Sequence, residues 1–324
     1  MKQIGMQAVT LQGYDKHKRG CSNMSNKKIN PRSASAWKDF LCVLPVLVFL
    51  AVFTYYPIVK LLQISFTDWN LLNDTWNYVG FKNWVWLFGG SGTKYLWNSL
   101  KVTCLYSAGE LFITLVGGMV FALIFNRMTK GFSAMRAIVF MPKYVAMSSA
   151  AVVFLWIFNK DNGIFNYLLS LVGLPAVDWL GNRHMALISV LMLTGWRCVG
   201  YGMMVYLAAM MGIAQDYYEA ASLDGANKVQ RFFKITLPML SPTTLFLFVT
   251  TFLSSMKVFQ SVDILTQGGP YRSTEVFVYN IYRYAMVDFR MDRASTVAIF
   301  FFVLLLIVTV ATMKVSGGNV TYDS

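Results

Sequence analysis

Charge is scarce in this sequence. Asp, Glu, Lys and Arg make up 13% of its 324 residues, about half the share usual in a soluble domain. Hydrophobic residues supply 56% and aromatics 16%, and the mean hydropathy is +0.50. So little charge cannot coat a 36.7 kDa globule, so much of the surface must face something other than water. A soluble enzyme, a disordered scaffold and a small disulfide-stapled secreted domain are thereby excluded. Cysteine is also sparse. Cys21, Cys42, Cys104 and Cys198 are far apart, with no C-x-x-C pair and no Cys/His cluster, which indicates neither a zinc site nor a disulfide framework. His17 and His184 have no partner at metal-ligand spacing, so no metal is expected. There is no G-x-x-x-x-G-K-[ST] phosphate loop, so this chain cannot cradle ATP in that way. The lack of H-E-x-x-H, of an intramembrane Asp pair and of a Ser/His arrangement argues against a membrane-embedded enzyme.

Long apolar runs are present. Crossing a bilayer as helix takes about 20 apolar residues, and six runs qualify: 40–63, 99–125, 134–158, 185–212, 240–262 and 294–314. The first is too long for a signal peptide, and Tyr55, Tyr56 and Pro57 after it offer no small-residue cleavage site. It reads as a retained span. The expected fold is an all-α integral membrane protein of six transmembrane helices, preceded by a basic arm (1–39) and followed by a short tail (316–324).

Charge placement orients the spans. Eight of the 28 Lys and Arg precede residue 39, with only Asp15 to offset them. With that arm inside, the inner segments carry fifteen Lys and Arg against six acids, and the outer segments eight against eight. The excess of Lys and Arg marks the cytoplasmic side, so both termini are expected there, in a multi-pass protein of the bacterial cell membrane. The arm leads into no folded nucleic-acid-binding module, so no nucleic acid is expected, and the lipid bilayer is the expected surrounding of the chain. The outer stretch from Phe66 to Trp97 holds ten aromatic residues, which suits a segment at the headgroup layer. Carbohydrate stacking by these rings is the lesser reading.

One inner segment, between spans four and five, has a pattern of its own. Glu219 to Leu223 favours helix, with a carboxylate near its start. Asp224-Gly225 is a stop and turn signal, with Gly225 free to take a positive φ. Val229, Phe232, Phe233 and Thr236 then recur at helical spacing up to Pro238. This predicts helix, glycine elbow and helix. Spacing alone leaves two readings open, a surface helix packed on its own bundle or a partner's docking site.

The segment resembles the E-A-A loop of bacterial ABC importer permeases: Glu219-Ala220-Ala221, Gly225 and Ile235-x-Leu237-Pro238 fall at that family's spacing without a gap. Leu265-Thr266-Gln267-Gly268-Gly269-Pro270 is similar to the L-T-x-G-G-P element of the carbohydrate-type permeases, the group of the maltose importer's larger permease, and Ser65-Phe66-Thr67-Asp68-Trp69 also fits. The likeness covers about residues 40–315. It implies half of a sugar pore, completed by a second and usually non-identical permease. It further implies two ATP-binding subunits on the E-A-A loops and an external sugar-binding protein. ATP and Mg would then be handled by the partner, with no cofactor on this chain. By the same resemblance Glu219 would pair with a basic residue of the ATPase, with Asp224 and Gly225 as the seated elbow. Glycerol phosphate, an amino acid or an acidic sugar is the alternative cargo.

Ionisable groups inside spans are costly and default to functional candidates. Glu110 and Arg197 are such groups. Ser254, Lys257 and Gln260 sit at i, i+3 and i+6, close to one helix face. Trp196, Arg197 and Tyr201 offer a second face of rings and donors. Helix-to-helix bonding is the competing role for all of them. Lys60 and Lys143, near span ends, are expected to snorkel, and Lys257 could instead reach Asp263 through water.

Overall fold

The computed structural model describes residues 35–73, 75–126 and 130–319. Most of the basic arm and the last residues of the tail lie outside these. By internal contacts the chain divides into two units, 1–57 and 58–324. The described part of the first is helical from Ser35. The second holds the rest and is described alone below.

The described residues are almost wholly helical, and their strand-like pairing is one bridge, Thr67 to Tyr78. Four helices are long and apolar enough to cross a membrane: Phe40–Ile64, Gly92–Phe125, Met185–Met211 and Met291–Thr312. Two bent pairs complete the expected six, Gly131–Tyr144 with Met147–Ile157 and Lys228–Met239 with Ser241–Ser255, bent by 101° and 61°. The spans are numbered one to six in chain order.

The bends were not expected, and each has a local cause. Span three tightens into a 3₁₀ turn at Met141–Tyr144, where Pro142 has no N–H to give, and then runs extended through Val145 and Ala146. Within span five the chain passes Pro238 instead of stopping there, a correction to the pattern. A wide π turn at Phe232–Thr236 precedes Pro238, and the 61° bend itself falls at Leu240, where Pro242 has no N–H to continue the helix. Past Ser255 the helix stops, whereas the apolar run predicts continuity to 262. Lys257 and Val258 make only short-range bonds to Ser254 and Ser255, and a new short helix, Gln260–Leu265, begins after Phe259.

Spans two and four cross at backbone contact. A Cβ added to Gly118 would lie 2.8 Å from the Gly202 carbonyl carbon, and one added to Gly202 would lie 2.3 Å from the Thr114 carbonyl oxygen. Gly200 meets the Val139 carbonyl of span three as closely, at 2.2 Å. Small residues let helices approach where no water drives them together.

Two apolar cores flank this crossing. One joins Val102, Tyr106, Phe154, Phe158, Val190, Leu193 and Leu265. The other joins Met119, Phe125, Met203, Tyr206, Leu240 and Leu247. Residues 107–114 of span two and 194–201 of span four therefore lie between two dry layers.

Overpacking a close crossing costs about 1–3 kcal/mol. Gly202→Val should lower the thermal midpoint of the solubilised protein by several degrees. Gly131→Ala, whose added Cβ meets nothing within 4 Å, should leave it unchanged or raise it slightly. Equal midpoints for the two variants would contradict the close approach.

Candidate functional site

Span two carries a buried polar stripe at Ser99, Thr103, Ser107, Glu110 and Thr114, spaced by three or four residues and hence on one face. Its outer members tie neighbouring segments. Thr103 Oγ1 accepts the Phe277 backbone N–H at 2.9 Å, and Ser99 Oγ accepts the Asn280 amide at 3.0 Å. Thr194 Oγ1 accepts the Tyr106 phenol at 2.9 Å. Sequence reasoning singled out Glu110 and missed the rest, although the spacing was readable.

The stripe ends in a cavity of about 210 Å³ lined by Glu110, Thr114, Lys143, Cys198, Tyr201, Thr250, Thr251 and Ser254. Four spans contribute. Glu110 is 6% exposed, and the Cys198 thiol donates to its Oε1 at 3.6 Å. Lys143 does not simply snorkel. It lines the cavity from the bend in span three, with Nζ 4.9 Å from the centre of the Tyr201 ring. Glu110 and Lys143 share the cavity without an ion pair between them, so each has hydrogen-bonding capacity to offer.

The expected pore residues divide. Tyr201 and Ser254 line the cavity. Arg197 acts on the bend itself, donating to the Lys143 carbonyl at 3.3 Å and to Met147 Sδ at 3.4 Å. Trp196 packs on Phe154 with ring centres 5.4 Å apart and does not line the cavity. Lys257 and Gln260 are exposed and share no continuous helix with Ser254, because the helix ends at Ser255. No ion pair joins Lys257 to Asp263 among the described residues.

The loop after span four, together with the first arm of span five, Lys228–Met239, has the expected form. Helix Gln215–Leu223 ends in Asp224, and Gly225 sits at φ +78° with nothing near its Cβ position. Gly225 N–H bonds the Ser222 carbonyl and Ala226 N–H the Ala221 carbonyl, at 3.1 and 2.9 Å, a glycine-centred helix stop of the Schellman type. Asn227 then caps the next helix by reciprocal 2.8 Å bonds with Gln230. That N-x-x-Q capping signal was legible and went unread. The Tyr218 hydroxyl meets Thr236 Oγ1 at 3.0 Å and ties the two arms. Glu219, Ala220, Asp224, Leu237 and Pro238 are exposed, and Ala221 and Ile235 half-buried. Leu223, 91% exposed, stands out beside the elbow.

Residues 114–316, which hold this loop and all of the cavity's lining but Glu110, match the family described as binding-protein-dependent transport system inner membrane component. The chain belongs to that family. This permease is 32% identical over 279 residues to the probable ABC transporter permease protein YurN of Bacillus subtilis, covering 85% of this chain and 94% of that one. It is 30% identical to the trehalose/maltose transport system permease protein MalF of Thermococcus litoralis, covering 90% and 97%. A crystal structure of a bacterial alginate ABC transporter, in complex with an alginate pentasaccharide-bound periplasmic protein, matches at TM-score 0.75 and 27% identity over 87% of this permease and 94% of that chain. The permease is therefore a multi-pass membrane subunit of a transport system.

Outside the spans, Glu275 is fully buried between Arg272 and Arg283, each 3.3 Å from one carboxylate oxygen. Burial raises its carboxyl above the usual range, against the pull of both guanidinium groups. The Asn98 amide donates to the Arg272 carbonyl at 2.9 Å, and the Arg272 guanidinium lies 3.8 Å above the Tyr95 ring. These contacts fix the L-T-Q-G-G-P loop against the start of span two.

The elbow's geometry sets a measurable stiffness. Removing the cap by Asn227→Ala should cost about 1 kcal/mol locally, and forcing a Cβ into the left-handed region by Gly225→Val about 1–2 kcal/mol. Amide hydrogen exchange at Ala226 and Gln230 should accelerate about five- to tenfold in each variant. Unchanged protection would mean that the elbow is not the rigid unit drawn here.

Proposed function

We infer that this chain forms half of a sugar-conducting pore and is driven by ATPases that dock on the Gly225 elbow. The observation that carries the reading is the polar cavity set between two apolar cores, lined from four spans. A bilayer protein gains nothing from a buried carboxylate, an ammonium and several hydroxyls facing empty space unless something polar passes through. Hydroxyl-lined walls beside the Tyr201 ring suit a sugar, whose hydroxyls need donors and acceptors and whose C–H face needs an aromatic surface. The permease of similar sequence named for trehalose and maltose supports that cargo class.

Lys143 and Arg197 stand against the single carboxylate of Glu110 around the cavity, and Arg197 keeps its charge while it hydrogen-bonds the bend. Glycerol phosphate or an acidic sugar is therefore the second reading beside a neutral sugar. The partners in this reading are a second, distinct permease, two ATP-binding subunits that hydrolyse ATP with Mg, and an external sugar-binding protein; the binding-protein-dependent family supports the last of these. The excess of Lys and Arg on the inner segments supports a cytoplasmic side for both termini and the elbow, in a bacterial cell membrane. There Glu219 faces a basic residue of the ATPase, and exposed Leu223 enters its cleft beside Gly225.

Reconstitution of the full complex tests this. Glu219→Lys replaces attraction by repulsion and should abolish sugar-stimulated ATP hydrolysis while the protein still inserts. Glu110→Gln and Lys143→Met should each cut uptake at least tenfold and leave ATPase docking intact. Normal uptake in both cavity variants would remove the cavity from the path, and normal coupling in Glu219→Lys would make the loop mere surface.

A further inference from the structure

The aromatic segment after span one divides: Trp76, Tyr78, Phe81, Phe88 and Trp97 are exposed, as a headgroup-layer segment would have them, and Phe66, Trp69, Trp84, Trp86 and Tyr95 are half-buried. Trp84 sits between Phe66 and Phe88, Phe88 against Phe300, and Trp86 between Tyr284 and Arg293. Trp69 and Trp76 do something different. Together with Lys60, Gln63, Ile64 and Thr67 they enclose a second cavity of about 280 Å³, near the lower end of the range for small-ligand sites, about 300–1,000 Å³.

This cavity has a rigid frame. The Asn83 side chain is buried and donates to the Ser65 and Thr67 carbonyls at 3.0 and 2.7 Å. Val79 N–H bonds the Phe66 carbonyl at 2.8 Å, and Asn77 N–H bonds Asp68 Oδ1 at 2.6 Å. The Trp69 carbonyl accepts the Asp292 N–H at 3.0 Å, and Asp292 is held by both nitrogens of an Arg290 fork. The site thus stands where span six begins, at the end of the bundle opposite the Gly225 elbow.

Its polar groups are aligned. Lys60 Nζ donates to Gln63 Oε1 at 3.1 Å, and Gln63 Nε2 donates to the Tyr78 hydroxyl at 2.8 Å. That leaves the Tyr78 proton free to donate onward. The Trp76 ring is braced edge-on by Tyr78 at 5.2 Å. Neither the Trp69 nor the Trp76 indole N–H has a hydrogen-bond acceptor among the described residues. Two flat rings with unspent N–H donors, beside an ordered ammonium–amide–phenol chain, match what a pyranose presents: a C–H face and a rim of hydroxyls.

We propose that Trp69 and Trp76 form an entry subsite on the outer face, which holds one ring of a neutral sugar before it reaches the central cavity. The proposal rests on the sugar reading above. A phospholipid headgroup is the competing occupant, but Lys60 is the single cation among the lining residues, whereas the two indole faces suit a sugar ring.

The test uses the assembled complex in nanodiscs, with saturation-transfer NMR on maltose, trehalose and raffinose. At least one of these should give a signal, and Trp76→Ala or Trp69→Ala should weaken its apparent Kd about tenfold, with Trp76→Tyr partly restoring it. Glu110→Gln should leave that outer signal in place. A sugar that binds or is taken up with unchanged affinity in both tryptophan variants overturns the entry subsite alone. Phospholipid retained by the wild type and lost from Trp76→Ala, seen by native mass spectrometry, also overturns it. No binding or uptake of any of the three sugars, with uptake of glycerol phosphate instead, overturns the sugar reading and the subsite with it.

Discussion

A helix that breaks inside a membrane exposes backbone groups that only another part of the protein can satisfy. Much of this permease follows from that requirement. Span three turns sharply at Met141–Tyr144, and the freed Lys143 carbonyl is answered by Arg197 of span four. The short helix Phe277–Tyr282 begins with an N–H that no helical turn can use, and Thr103 of span two accepts it. Both of these ends are thus tied to an unbroken neighbour. The breaks also do positive work, since the turn in span three is what brings Lys143 to the cavity.

The polar groups so collected are kept apart from the apolar layers on either side. Glu110, Cys198 and Tyr201 line one cavity from spans two and four, and beyond it the glycine contact between 118 and 202 brings the two backbones close. Unequal residue size along one helix pair therefore sets the path: tight and dry near Gly118, open and polar near Glu110. The elbow shows the same economy. A glycine at φ +78° and a two-bond cap stiffen a loop whose flanking side chains stay exposed, which suits a surface that must transmit force without melting.

The six spans and the elbow were legible because their signals are local. Apolar runs report spans directly, and Asp224-Gly225 within the E-A-A pattern reports a turn. The breaks were not legible from hydropathy, which is blind to backbone direction; Pro142 was the available warning. Treating Ser254, Lys257 and Gln260 as one face failed for that reason, since the face ceases to exist after Ser255. Lys143 was judged by its nearness to a span end, and only the bend reveals that it points to Glu110's cavity. The Ser99-Thr103-Ser107 stripe was readable by spacing. It escaped notice because serine and threonine in helices commonly bond their own preceding turn, as Thr103 also does to the Ser99 carbonyl.

The central claim is that the cavity between spans two, three, four and five carries the cargo. Its most direct test is thiol labelling of Ser254→Cys in a chain whose Cys21, Cys42, Cys104 and Cys198 are replaced by serine. In proteoliposomes holding the whole complex, a charged methanethiosulfonate should modify Cys at that position and arrest uptake, and sugar-loaded binding protein should slow the modification. Reaction only with a lipid-soluble maleimide, with uptake unaffected, would place residue 254 against lipid and contradict the account.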